Sequence, residues 1–416
     1  MWFLITEINS CRVCGSKDLR FILSLGEQYV TDFVDKPEDT INKGPLTLVL
    51  CDSSSGGCGL LQLKHTFNHD ALYKKYWYKS GISISMVSAL KEVVESVTSI
   101  IKLEENDVVL DIGSNDGTLL KQYDDNLIKI GFEPSNLWEL GINKNTKIVN
   151  DYFGSDKFLN VSNNKKAKII TAIAMFYDLE DPNKFVYDLK KCLDENGIIV
   201  IQMNYLGLML KNNTFDNISH EHLEYYSLKT LNYLLKKYDL EIFDVILNDV
   251  NGGSFRVYIK NKGSVITSLN GYDRVKTQIE YEEKLGMDKK EVYAEFAERI
   301  VSIKEKLLSI LESEKAKGKK IFIYGASTRG LVILQFVGID EKLISLATDK
   351  NKDKWGKYIA GTKIKIIPIN EYRIQSPDYL FVLPYHFINE IMNQEDVYIK
   401  NGGKLIVAIP EVKIIP

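Results

Sequence analysis

The hydrophobic rhythm of the chain changes several times, and each change marks a different kind of element. Between Met86 and Leu103 the run MVSALKEVVESVTSIIKL spaces Val87, Leu90, Val94, Val97 and Ile101 three or four residues apart, which lays them on one face of a helix. The next run, DVVLDIGSNDGTLL, is a continuous apolar block from Val108 to Ile112 ending in a glycine-bearing turn; it predicts a buried strand that feeds a helix. Blocks of this kind return in LIKIGFEPS, AKIITAIAM and GIIVIQMN, with helix-length segments between them. Such alternation predicts a parallel, doubly wound sheet, whose ligands sit beyond the carboxyl ends of the strands. In EIFDVILNDVNGGSFRVYIK, Gly252 and Gly253 separate two strand-like runs, which predicts a hairpin closing that sheet, with the glycines as a structural turn. A charged stretch from about Lys289 to Lys317 carries Val292, Phe296, Ile300, Ile303 and Leu307 on one stripe, the pattern of a helix with one buried face. KKIFIYGASTRGLVILQFV then repeats the order strand, glycine turn, helix, and LISLATDKN supplies another strand ending in an acidic residue.

With 416 residues, 45% of them hydrophobic, the chain is long enough for two or three domains, each burying a core. Lysines are scattered among glutamates and the net charge is -3, which argues against a nucleic-acid partner. The start, MWFLITEINSCRVC, lacks a basic leader and a small-residue cleavage site, and no stretch approaches the roughly 18 apolar residues of a membrane span. The expectation is a cytoplasmic protein with no membrane partner.

Cysteine placement adds a second feature. Cys11 and Cys14 form a CxxC pair and Cys51 and Cys58 a wider one, leaving only Cys192 of the five apart. In a reducing compartment two clustered pairs fit a tetrahedral Zn(II) thiolate site better than disulfides, with free or redox thiols as the alternative. The Ser/Gly filling of CDSSSGGCG predicts a lengthened, flexible loop. A closed four-thiolate site has no position for substrate, so such a metal holds structure together. The pattern divides the chain into a zinc module at 1–65, a first α/β domain at 66–265, a helical bridge at 266–317 and a second, C-terminal α/β domain at 318–416.

The turn after Val108 to Ile112 offers Gly113 and Gly117 for close backbone approach, but Asp111, Asn115 and Asp116 crowd it with acceptors. A diphosphate is repelled there, while a ligand with an amino group and a sulfonium is not. Glu133, beside Pro134 and about twenty residues on, suits a ribose diol. Together these point to S-adenosylmethionine, against a plain glycine turn in an ordinary α/β protein. In YGASTRG the balance reverses: Gly325 and Ser327 open a helix start and Arg329 brings positive charge, which suits a pyrophosphate, with Asp349 for a ribose or base contact. Finally, FDNISHEHLEYYSL sets His220, Glu221 and His222 side by side. Neighbours project in different directions on a strand or a helix, so the three cannot share one metal ion. An acid/base site is favoured over a buried polar cluster, because burial requires partners for every such group.

The order CxxC, YWYKSG, DIGSNDG, GFEPS, MFYDLEDP, SHEHLEYYS, NGGSFRVY, YGASTRG resembles the S-adenosylmethionine-dependent sugar C-methyltransferases that act on nucleotide-linked keto-deoxysugars, and the resemblance runs over nearly the whole chain. It implies an α/β protein with a small zinc-binding N-terminal module, a class I (Rossmann-like) methyltransferase domain and a C-terminal Rossmann-like domain that helps hold a dTDP-, GDP- or similar nucleotide sugar. It implies methylation at carbon 3 of a 4-keto-6-deoxy sugar through an enolate. His222 would be the base, Glu221 would orient or polarise the sugar, Tyr78 would donate toward the enolate oxygen, and Tyr76 would help bind the sugar. Two positions depart from relatives: Ser219 stands where some carry a tyrosine, and Phe176 where some carry a histidine. An O- or N-methyltransferase on a nucleotide sugar, and a non-catalytic sugar-nucleotide-binding scaffold, remain as alternatives.

Overall fold

The computed structural model describes residues 5–39, 42–68, 72 and 77–416. Among the described residues no helix is long and apolar enough to cross a membrane. Tyr76 lies outside the described residues.

The N-terminal segment carries β1 (Thr6–Glu7), β2 (Leu19–Tyr29), β3 (Phe33–Val34), β4 (Lys43–Cys51), β5 (Leu61–Leu63) and β6 (His65–Thr66). At one end its cysteine sulfurs converge. Cys11 lies 3.5 Å from Cys58 and Cys14 lies 3.4 Å from Cys51, and all four ligand atoms fall within 4.8 Å of one another. Thiolates bound to one zinc at about 2.3 Å are about 3.8 Å apart, so the cluster has the right size for a closed tetrahedral site. The six residues between Cys51 and Cys58 do not form the flexible loop that their composition predicts. Asp52 accepts hydrogen bonds from the Ser54 N–H at 2.7 Å and hydroxyl at 2.6 Å, which folds Ser53–Ser55 into a short 3-10 turn, and Asp52 is itself paired with Arg20 at 2.6 Å. Gly57 closes the turn, where a Cβ would stand 2.5 Å from the Asp52 carbonyl oxygen and 2.7 Å from Cys51 Sγ.

The first α/β domain follows from its apolar blocks: β7 (Val108–Ile112), β8 (Ile128–Phe132), β9 (Thr146–Val149), β10 (Ala167–Ile173), β11 (Leu193–Asn204), then β12 (Glu224–Tyr225), β13 (Leu240–Asn248) and β14 (Ser254–Asn261). Seven of these form one sheet in the order β13-β14-β11-β10-β7-β8-β9. Strands β7 to β11 are parallel, and the hairpin β13-β14 joins antiparallel to β11. The chain leaves β7 toward β9 and returns to β10 on its other side, so the switch point lies at the carboxyl ends of β7 and β10. Helix Ile84–Ile100 covers one face with Met86, Leu90, Val93, Val94 and Val97. Ile101 joins the same core as expected, from the C-cap position, whereas Val87 flanks the stripe half-buried.

The C-terminal domain contributes β15 (Ile321–Tyr324), β16 (Leu346–Asp349), β17 (Tyr358–Ile359), β18 (Lys365–Pro368), β19 (Tyr379–Val382), β20 (Lys404–Val407) and β21 (Lys413–Ile415). Its sheet runs β21-β20-β19-β15-β16-β18-β17-β3, and its switch point falls between β15 and β19. Two strands cross between units. The N-terminal β3 pairs with β17, Phe33 opposite Ile359 and Val34 opposite Tyr358. In the other direction β12 pairs with β5, Glu224 opposite Gln62 and Tyr225 opposite Leu61.

Between the two domains, helix Gly271–Leu285 packs on β13. Glu282 on this helix accepts hydrogen bonds from the Leu228 N–H at 2.6 Å and the Lys229 N–H at 2.9 Å. Helix Lys290–Ala316 turns its apolar stripe into the core shared by β2, β4 and the C-terminal sheet. That stripe begins at Tyr293, whose hydroxyl donates to the Met287 carbonyl at 2.6 Å, and not at Val292, which is half-buried beside it.

Because the Gly57 turn is what brings Cys58 beside Cys51, Gly57→Ala should cost roughly 1–3 kcal/mol by overpacking and lower the zinc content of purified protein below the one ion per chain expected for wild type, read by metal analysis and thermal unfolding. Cys14→Ser should lower folded yield further. A metal-free protein of full stability would refute the site.

Candidate active site

One cavity of about 370 Å³ collects the carboxyl ends of both sheets. From the first sheet come Asp111 to Asn115, Glu133 to Ser135, Asp151 to Phe153, Ile173 to Met175, Tyr177 to Leu179 and Asn204; from the second come Ser327 to Arg329, Pro384, His386 and Phe387. Each group stands just past the end of a strand, so the two switch points face each other across a shared space.

The glycine turn opens onto the cavity. Gly113 has φ +72° and a Cβ there would stand 3.2 Å from Met175 Cγ. Glu133 is buried, and its two carboxylate oxygens accept from the Asn115 N–H at 2.7 Å and the Ser135 N–H at 2.9 Å. The backbone thus fixes the carboxylate while each oxygen keeps a lone pair for a ribose hydroxyl. Ser114 Oγ is buried without a partner in the turn. Asp111 accepts from the Thr171 hydroxyl at 2.6 Å; burial, with Glu133 nearby, pushes its carboxyl up to about 7. Pro134 lines the cavity as expected.

Asp116 and Gly117, expected among the cofactor ligands, do not line the cavity. Gly117, at φ +72°, is packed against Gly141, where a Cβ would meet Cα at 2.7 Å. Asp116 accepts from the Gly81 N–H at 2.8 Å and the Thr118 hydroxyl at 2.6 Å. Asn115 adds bonds to the Ser80 N–H at 3.0 Å and the Tyr78 carbonyl at 3.0 Å. Asn115 and Asp116 therefore stitch the YWYKSG segment onto the glycine turn, which sets Tyr78 at the cavity rim, 40% exposed.

The SHEH segment divides as its alternation requires. His220 turns away from the cavity; it is buried against Phe67 at 4.3 Å between ring centroids, with Nε2 3.1 Å from the Gly44 carbonyl oxygen. Glu221 and His222 line the cavity. Thr31 donates its hydroxyl to Glu221 at 3.1 Å, and burial pushes this carboxyl up to about 7. His222 Nδ1 lies 2.7 Å from the Asn217 carbonyl oxygen. A carbonyl only accepts, so Nδ1 carries the proton and Nε2 keeps its lone pair. Burial lowers this imidazole to about 4, with the Arg329 charge lowering it further and the Asn217 bond opposing. Tyr177 packs edge-on against the His222 ring at 4.4 Å.

On the C-terminal side the expectations hold only in part. Ser327 and Arg329 line the cavity, and Ser327 Oγ accepts from the Gly330 N–H at 3.1 Å as the helix cap. Arg329 is not an open pyrophosphate clamp. Its guanidinium is buried and engaged by Asp216 at 2.7 Å, the Asn251 carbonyl at 2.5 Å and the Tyr385 hydroxyl at 3.1 Å, which leaves Nε. Gly325 does not reach the cavity; its missing Cβ leaves room for Pro384 Cδ at 2.6 Å. Asp349 is likewise absent from the lining, because it accepts from the Asn351 N–H at 2.7 Å and faces Lys354 Nζ at 3.4 Å. The NGG turn is more than the structural turn expected, since Val250 and Asn251 line the cavity and Asn251 holds Arg329. Phe176 is buried among Phe185 and Tyr226 and never meets the cavity.

Sequence reading missed Tyr177, His386, Thr31 and Asp216. Tyr177 follows a predicted strand, and that position was the available signal; His386 follows β19, a strand the sequence reading did not place. Thr31 and Asp216 had none, because tertiary packing alone brings them in.

A seven-stranded, doubly wound sheet with a fixed acidic residue after its second strand and a glycine turn after its first defines a class I S-adenosylmethionine-dependent methyltransferase. Three family models match in tandem: a zinc binding domain at 11–73, a methyltransferase domain at 88–245 and a C-methyltransferase C-terminal domain at 249–410. The C-methyltransferase NovU of Streptomyces niveus is 27% identical over 99% of this chain and 98% of its own length. The chain is an S-adenosylmethionine-dependent methyltransferase that is similar to C-methyltransferases along nearly its whole length and carries a four-cysteine zinc-binding domain. Among solved structures, an S-adenosylmethionine-dependent methyltransferase from Clostridium acetobutylicum is 13% identical with a TM-score of 0.34, covering 42% of this chain and 92% of that one. A complex of the plantazolicin methyltransferase BpumL with SAH is 15% identical with a TM-score of 0.34, covering 42% and 83%.

Replacing Glu133 with Ala removes the carboxylate that faces the cofactor position, so S-adenosylmethionine binding measured by calorimetry should weaken by ~1–3 kcal/mol. Unchanged affinity would move the ribose contact to another residue.

Proposed function

We propose that the enzyme methylates carbon 3 of a nucleotide-linked 4-keto-6-deoxy sugar through an enolate, with His222 as the base. The observation that carries this reading is the His222 Nδ1 bond to the Asn217 carbonyl, which leaves Nε2 as a neutral, unprotonated acceptor in the same cavity as the cofactor turn. Carbon methylation needs a base for a proton beside a ketone, whereas heteroatom methylation needs no group to stabilise an enolate.

S-adenosylmethionine, when bound, supplies an electrophilic methyl carbon on a sulfonium; Asp111, Gly113, Asn115, Glu133 and Pro134 would hold it. The chain's own residues make the nucleophile. His222 Nε2 takes the proton from carbon 3 and becomes imidazolium, and the C–H electron pair moves toward the ketone oxygen. Glu221, protonated up to about 7, donates a hydrogen bond to the sugar oxygens. The Tyr78 hydroxyl, protonated at neutral pH like any phenol, donates to the developing enolate oxygen. The Tyr177 ring holds the imidazole plane. The nucleotide part lies toward Ser327 and the free Nε of Arg329.

His222→Asn should keep the fold and the cofactor affinity yet lose on the order of 10²- to 10⁴-fold in turnover. With S-adenosylhomocysteine in D2O, wild type should wash deuterium into the carbon beside the ketone and the variant should not. With a panel of nucleotide-linked keto sugars, NMR should place the new methyl on carbon; a methyl on oxygen would refute the reading.

The pH profile gives an independent test. His222 is lowered to about 4, so the base is available above that value; Glu221 is raised to about 7, so its donor is lost as pH rises through it. Turnover should therefore rise through about 4 and fall through about 7, and Glu221→Gln, which keeps a donor at every pH, should abolish the alkaline fall. An acid limb near 7 would instead make Glu221 the base.

A further inference from the structure

The group that fixes His222 is itself held from the other domain. Asn217, the acceptor of the His222 Nδ1 proton, ends the short turn Phe215–Asn217. Its neighbour Asp216 is 1% exposed, and both of its carboxylate oxygens are taken by the C-terminal domain. Oδ2 lies 2.7 Å from an Arg329 nitrogen, and Oδ1 accepts from the Tyr385 hydroxyl at 3.1 Å. Arg329 is the second residue of helix Thr328–Val337, after β15, while Tyr385 follows β19. The two anchors thus come from the two sides of the C-terminal switch point. A third bond, from Arg329 to the Asn251 carbonyl at 2.5 Å, ties the same guanidinium to the hairpin that closes the first sheet.

We propose that Arg329 is a positioning residue for the methyl-transfer base: through Asp216 it fixes the Asn217 carbonyl that sets the tautomer and direction of His222, so the base is competent only with the C-terminal domain in place. This rests on the assignment of His222 as the base. A buried ion pair holds a peptide segment strongly because either partner left alone keeps an uncompensated charge. A histidine ring with one nitrogen on a fixed carbonyl has its other nitrogen aimed.

Arg329 also acts on His222 by charge. The titratable groups around that part of the cavity are Tyr177 and Asp178 from the end of β10, Tyr205 after β11, Glu221 beside the base, Glu224 and Tyr225 from β12, Arg329 with its partners Asp216 and Tyr385, and His386 after β19. Burial raises Tyr177, Tyr225 and Glu224 well above their ordinary values and holds them neutral. Arg329 is ionised throughout and opposes the imidazolium. Asp216 partly offsets that charge.

The test is the pH profile of deuterium exchange into the keto sugar, with S-adenosylhomocysteine bound, for full-length variants. Arg329→Gln should lower the exchange rate about 10- to 100-fold and move the acid limb upward, because the charge opposing protonation is gone. Asp216→Asn should move the limb downward, because the Arg329 charge is then unopposed. Arg329→Lys should return the limb toward wild type and recover part of the rate. A purely structural role reduces active protein without moving either limb, so reduced amplitude with unmoved limbs overturns the proposal. So does a wild-type rate in Arg329→Gln. Should Arg329→Gln fail to fold, the direction of the Asp216→Asn limb decides alone. His222→Asn is the control. If it still exchanges, the base assignment has failed; if it is inert while the limbs of the other variants stay in place, only the positioning role has failed.

Discussion

Backbone pairing through the N-terminal segment is the constraint on which the cavity depends. One short ladder, β12 on β5, fixes the strand that follows His222; another, β3 on β17, fixes the edge of the C-terminal sheet. Between these ladders lie Tyr29 and Thr31. Tyr29 exchanges two hydrogen bonds with Gln335 on the C-terminal side, at 2.6 and 3.1 Å, and Thr31 bonds Glu221 on the other. A ladder hydrogen bond tolerates little displacement, so main-chain pairing sets the spacing of the two switch points together with the side-chain bonds of Gln335, Thr31 and Arg329. The thiolate cluster anchors the far end of the same segment, which gives a metal remote from the cavity a direct mechanical bearing on its shape.

The cavity is electrostatically selective because most of its ionisable groups are neutralised by burial. Asp111 and Glu221 are both raised to about 7, and His222 is lowered to about 4. His386 is lowered to about 3, by burial and then by Arg329. The neutral imidazoles of His222 and His386 stand beside one paired guanidinium, while the cofactor side lines its turn with the oxygen acceptors of Asp111, Asn115 and Glu133. Two ligands of opposite charge can therefore share one space without either meeting a charge of its own sign on the wall.

Periodicity made the parallel sheet of the first domain and the first two strands of the second legible, because each is a buried apolar block and the turns after β7 and β15 carry a glycine. The acidic partner after the second strand was legible for the same reason: it sits at a fixed offset from β7. Errors fell where a side chain's job depends on what packs against it. Asp116 and Gly117 belong to the glycine motif yet serve the loop and the neighbouring Gly141. Arg329 occupies a helix start suited to phosphate, but Asp216, 113 positions earlier, claims it. Helix stripes were right in period and wrong by one residue at their first turn, where Met86 and Tyr293 replace Val87 and Val292. The Ser/Gly composition of 52–57 signals mobility only if the Asp52 cap and Arg20 pair are ignored.

The crossed strands have a consequence for recombination. In many multidomain enzymes a specificity domain can be exchanged at a linker, because few contacts cross it. Here a cut near residue 318 would carry away Tyr358 and Ile359 but leave behind their ladder partners Val34 and Phe33, and would separate Gln335 from Tyr29. A grafted C-terminal domain would arrive with an unpaired edge strand and a loose seat over the cavity. Descent with new substrate preference is therefore easier by substitution around Ser327 to Arg329 and Pro384 to Phe387 than by shuffling, and a working chimera must transplant the β2–β3 segment together with the domain that it clasps.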